Sequence, residues 1–130
     1  MTIKNLKVFV ENLWDWGCLD ECFPGTRIRV TDIDGLVERN GQFLMIEAKS
    51  PGKEVPTGQR ILFDRLVQDK RWHVLIVWGE PNKPQEMQVW GYGKMKGDEA
   101  KLQYVVRRWF DYAERQGKIV PMPQPKKRAA

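Results

Sequence analysis

The seven residues Trp72 to Trp78, WHVLIVW, constrain this chain more than any other stretch. The run does not alternate apolar and polar side chains, so it reads as a central strand buried on both faces. Such a strand needs helices above and below its sheet, and three stretches offer them. In residues 3 to 14, Ile3, Leu6, Phe9, Val10, Leu13 and Trp14 recur at helical spacing, a stripe expected to pack on the sheet. Residues 58 to 70 carry Ile61, Leu62, Leu66 and Val67 on one side, with Thr57 as the expected N-cap. The longest helix is expected over 98–116, with a stripe of Leu102, Val105, Val106, Trp109, Phe110 and Ala113, and with Gly117 as its stop. Further strands are expected at Arg27–Val30 (RIRV) and at Glu86–Tyr92, with a loop at Pro81 and Pro84 and a turn over 94–98.

Between the first two helices lies TDIDGLVERNGQFLMIEAK, Thr31 to Lys49. Ile33–Val37 and Phe43–Ala48 read as two strands of a hairpin, and Asn40-Gly41 between them tolerates the positive φ of a tight turn. Glu47 and Lys49 are two residues apart, so their side chains leave the same face of the second strand. Asp34 heads the first strand, where pairing brings it close to the Glu47 end of its neighbour. A carboxylate within a run as apolar as FLMIEA is a poor structural choice, because desolvating it without a partner costs several kcal/mol. Two carboxylates, the Ala48 main-chain carbonyl and an ammonium are thereby expected at one place. Hard oxygen donors of that kind suit Mg²⁺, which keeps several of its waters where phosphates are the substrate.

Asp34-Gly35, a short hairpin, then Glu47-Ala48-Lys49 resembles the PD-(D/E)xK nuclease superfamily, with Ile33 where a proline often precedes the aspartate. Gln59, opening the next helix, is placed similarly to the fourth motif of virus-type replication-repair nucleases and Holliday-junction resolvases. The resemblance spans roughly residues 28 to 79 and implies an α/β restriction-endonuclease-like core, a mixed central β-sheet flanked by helices in αβββαββα order. It also implies a DNA nuclease dependent on Mg²⁺ or Mn²⁺. In that reading Asp34, Glu47 and the Ala48 carbonyl hold the metal, Lys49 assists the attacking water, and Gln59 supports the phosphate. Relatives often add an acidic residue from the first helix; Glu11 and Glu21 are the candidates, with Asp32 as a further one on the strand before Asp34. Gly35 is expected to allow close approach of backbone or ligand.

A net charge of +5 favours a polyanionic partner. DNA contacts are expected from Lys53 and Arg60 near the site, from Arg107 and Arg108, and from Lys126, Lys127 and Arg128 in a basic, proline-containing tail. The expected organisation is one nuclease-like domain over 1–120 and the tail over 121–130. Neither a signal sequence nor a membrane span is evident, so a cytoplasmic protein of a bacterium or a phage-infected host, without membrane association, is expected. Cys18 and Cys22 read as thiols rather than as a zinc site or disulfide. His73 reads as a structural residue. Trp14, Trp78 and Trp109 read as core, whereas Trp16, Trp90 and Tyr92 are less constrained and open to a partner. Relatives often work as homodimers, although no isolated apolar patch marks an interface. The alternatives are a catalytically silent binding module on a nuclease-like scaffold and, more remotely, an RNA-binding factor using the basic tail.

Overall fold

The computed structural model describes residues 5–119, which fall into two compact units divided between Asp32 and Ile33. The second unit is built on a five-stranded sheet whose spatial order follows the chain. Its strands are β1 (Gly35–Arg39), β2 (Gln42–Lys49), β3 (Trp72–Glu80), β4 (Lys83–Val89) and β5 (Met95–Lys96). The β2–β3 pair is parallel and the other three are antiparallel, so the sheet is mixed. Helix α2 (Thr57–Gln68) makes the crossover that a parallel pair requires, and α3 (Glu99–Ile119) closes the unit.

Burial on β3 follows the alternation of a strand covered on both faces. Val74, Ile76 and Trp78 pack with Met45 of β2 and Phe63 of α2. Leu75 packs the other way, with Leu44, Met87 and the α3 residues Trp109 and Ala113. The expected sandwich is therefore present, an α/β arrangement with α2 on one side of the sheet and α3 on the other. The hairpin turn also follows expectation. Asn40 and Gly41 both have positive φ, 53° and 78°, and the Gly41 N–H donates to the Glu38 carboxylate at 2.8 Å.

Several boundaries differ from the sequence reading. Arg27–Val30 is not a strand: RIRV alternates, but Ile28 and Val30 stay exposed and the segment is not part of the sheet. The first helix, α1 (Leu6–Glu11), is short; the Asn5 side chain caps it, and none of its residues is buried. Ile3 lies outside the described residues. Trp14 is 76% exposed and stacks on Trp16, so it is not core, whereas Trp78 and Trp109 are. Pro56, not Thr57, occupies the N-cap of α2, and no side chain caps that end. The fourth strand begins earlier than expected because Pro81 and Asn82 form a tight turn, with Asn82 at φ 63°, and Lys83 already pairs with Glu80. The turn expected over 94–98 contains the short strand β5.

Gly117 does not stop the last helix, which continues to Ile119. Its missing side chain serves packing: a Cβ there would collide with the Asn40 amide, which donates to the Ala113 carbonyl at 3.1 Å. Arg39 pairs with Glu114 beside it, so α3 is tied to the hairpin turn. His73 is half-buried on β3, with Nε2 3.1 Å from the Gln42 amide oxygen and its ring edge-on to Tyr112; burial lowers its pKa. Among the described residues no helix is long and apolar enough to cross a membrane.

Candidate active site

Strand β2 delivers Glu47 and Lys49 to the α2 side of the sheet, the side of Met45, Ile76 and Trp78. Helix α2 starts beyond the end of β2, after a loop through Ser50–Pro56. Its first turn therefore returns over the strand end, and the Gln59 amide lies 3.5 Å from the Glu47 carboxylate. This is the end of parallel strands at which open α/β sheets commonly place their ligands.

Asp34 lies immediately before β1, whose first residue, Gly35, faces Ile46. Its carboxylate accepts the Ala48 N–H at 2.9 Å. That bond anchors an exposed side chain beside the residue following Glu47. Glu47 itself is only 6% exposed. Burial raises its carboxyl pKa and the neighbouring Asp34 charge raises it further, while Lys49 and hydrogen bonds from the Asp34 backbone and Gln59 pull the other way. A desolvated carboxylate next to a second carboxylate is an arrangement that a divalent cation neutralises.

The remaining donors fit a hard cation. The Oε1 of Gln59 is buried and without a hydrogen-bond partner, an acceptor left over at the same end of the strand. Among the described residues no three His, Cys, Asp or Glu side chains gather as a ligand cluster. The candidate set is thus two carboxylates and a main-chain carbonyl, with the remaining positions left to water. That set suits Mg²⁺ or Mn²⁺ far better than Zn²⁺, which takes nitrogen and sulfur ligands in a closed tetrahedron.

No family model matches this chain, and no curated protein or solved structure does either.

Within the second unit, the other expected contact residues that are described lie on different elements. Arg60 follows Gln59 on α2, and its Nε donates to the Val55 carbonyl at 2.9 Å. Lys53 is exposed in the β2–α2 loop, and its own carbonyl accepts the Trp78 indole N–H at 2.6 Å. Arg107 and Arg108 are exposed on α3, the helix on the other side of the sheet from Glu47. Lys126, Lys127 and Arg128 lie outside the described residues. Glu11, Glu21 and Asp32 belong to the first unit. There Glu11 lies 4.0 Å from Lys7 one helical turn away, Glu21 sits in a 3-10 helix over Trp16–Cys22, and Asp32 ends the unit.

One cation near the site was absent from the sequence reading. Lys94, in the connection from β4 to β5, places its ammonium 4.3 Å from the centre of the Trp78 ring. No spacing rule links positions 78 and 94; sheet pairing brings them together.

Proposed function

We propose that this protein is a metal-dependent DNA nuclease with a PD-(D/E)xK-type site, hydrolysing phosphodiester bonds in DNA processing, recombination or repair of the phage or mobile-element kind. The observation that carries the reading is the junction of Asp34 with the end of β2: its carboxylate on the Ala48 N–H, beside buried Glu47 and within the charge field that Lys49 completes.

Asp34, Glu47 and the Ala48 carbonyl would hold Mg²⁺ or Mn²⁺. When bound, such an ion polarises the phosphoryl oxygens and makes water a stronger nucleophile at neutral pH. The protein's own groups do the rest. Lys49 orients the attacking water, assists removal of its proton, and offsets charge growing on the phosphorane oxygens. Gln59 stands over the strand end, where its amide N–H₂ can hydrogen-bond a phosphate oxygen. The fixed β2 end and the first turn of α2 position water and scissile phosphorus for in-line attack, which removes much of the entropic barrier. The overall positive charge of the chain draws the polyanion to an otherwise acidic centre.

The direct test incubates the purified chain with supercoiled plasmid and with branched DNA, in Mg²⁺, in Mn²⁺ and in EDTA. Cleavage that requires the metal is expected. Intact substrates under all three conditions, with DNA still bound, would replace the nuclease with a binding module on the same scaffold.

A further inference from the structure

Beside the candidate active site, on the same side of the sheet, lies a cleft of about 300 Å³ bounded by Arg60, Trp78, Gln88, Trp90, Lys94 and Glu54. It is one strand away from the proposed chemistry, since Lys49 pairs with Trp78 across β2 and β3, and Arg60 is the residue after Gln59.

The groups around it are anchored at one end. Arg60 spends its Nε on the Val55 carbonyl, which leaves its terminal guanidinium nitrogens for another partner. Lys94 lies against the Trp78 ring, which holds its ammonium at the cleft. Gln88 donates its amide N–H₂ to the Tyr92 carbonyl at 2.7 Å, which turns its oxygen into the unspent end. Trp90 is fixed twice, by its indole N–H on Asp64 at 2.7 Å and by edge-on contact with Phe63. Neither Arg60 nor Lys94 is in an ion pair with a carboxylate among the described residues. Two cations and the single carboxylate of Glu54 leave the lining with one net positive charge, which fits one phosphate and a neutral ring better than a run of phosphates. A fixed indole, two tethered cations and side-chain acceptors are the parts that recognise an unpaired nucleotide.

We propose that this cleft takes one unpaired nucleotide of the strand being cut, with its base against Trp90 and its phosphate between Arg60 and Lys94. The inference rests on the nuclease reading for the identity of that strand. It makes a single-stranded segment next to the scissile bond the preferred substrate, because a paired base cannot leave its stack without unpairing.

The test measures equilibrium binding of the full chain, in EDTA so that nothing is cut, to a fluorescent single-stranded DNA and to a blunt duplex of the same length. The single strand is expected to bind about tenfold more tightly, the scale of one base–aromatic stack. R60Q and K94Q, both at exposed positions, should each narrow that margin, and W90L should remove it, whereas R115Q, at an exposed position of α3, should leave the ratio unchanged. Circular dichroism melts establish that the variants are folded; if W90L is not, R60Q and K94Q decide alone. A duplex bound as tightly as the single strand, or a margin that survives in R60Q and K94Q, overturns the proposal. Cleavage is read separately in Mg²⁺. A chain that shows the margin but cuts nothing refutes the nuclease reading alone, and one that cuts without the margin refutes the cleft alone.

Discussion

The Asp34 carboxylate accepts the Ala48 main-chain N–H at 2.9 Å, which joins the start of β1 to the end of β2 one residue past Glu47. A side chain at the mouth of a hairpin is thereby held beside a buried acid, and the two carboxylates lie at the same end of the hairpin.

Asp34→Ala and Lys49→Ala should abolish metal-dependent cleavage while leaving the fold and most DNA affinity. For Lys49 the expected loss in rate is about 10²- to 10⁴-fold, the usual contribution of a positioned proton-transfer group. Losing the Asp34 bond at an exposed position should destabilise by only about 1 kcal/mol, so inactivity cannot be blamed on unfolding. Single-turnover cleavage alongside thermal melts checks both; two variants as active as the parent would remove the mechanism.

Glu47 sets a pH dependence of known sign. Its carboxyl pKa is raised in the fold, chiefly by burial, with Asp34 adding to the shift and Lys49 opposing it. The native state therefore holds this proton more tightly than the unfolded chain. The resulting stability is fully present below the ordinary value of 4.5 and is lost as pH rises through the folded value. Glu47→Gln removes this component, so the variant should gain stability relative to the parent as pH rises, in melts recorded in EDTA.

Divalent metal should act in the opposite sense at the same residue. Added Mg²⁺ or Mn²⁺ should raise the melting temperature of the parent above the Glu47 transition, by binding only the folded state, and EDTA should reverse it. Glu47→Gln and Asp34→Asn should lose most of that increase. An equal rise in all three proteins would place the ion elsewhere.

Gly117→Ala should destabilise although alanine is the better helix former by about 1 kcal/mol. The added methyl would displace the Asn40 amide from the Ala113 carbonyl, and overpacking of this kind costs roughly 1–3 kcal/mol. In an Asn40→Gly background, which keeps the positive φ, the same change should become neutral or stabilising. Urea titration of the four proteins closes the cycle.

Two other glycines separate steric need from pattern. A Cβ at Gly79 would strike the Lys83 carbonyl and Pro84 backbone across the register shift in the β3–β4 hairpin. A Cβ at Gly35 would meet Ile46 at an ordinary 3.5 Å, so sterics do not require glycine there. Gly79→Ala should therefore lower the denaturation midpoint clearly, and Gly35→Ala should leave it nearly unchanged.

Local chemistry determined much of this protein. Seven residues from Trp72 to Trp78 imply a doubly covered strand because side-chain burial there has no polar period to break it, and Asn40-Gly41 implies a tight hairpin because few residue pairs accept positive φ. Once the hairpin exists, alternation sends Glu47 and Lys49 to one face and pairing brings Asp34 to them, so the candidate carboxylates were legible from order alone. Tertiary structure decided the rest. The alternating RIRV segment is not a strand because β structure needs a partner, which no local pattern supplies. Gly117 lies within a helix, and Asn40, distant in sequence, occupies the space a side chain would need there. Lys94 meets Trp78, and Arg60 faces the same cleft, only because β3, β4 and α2 are adjacent in three dimensions. Side-chain direction is a property of one strand, whereas the company a side chain keeps depends on which elements pack together.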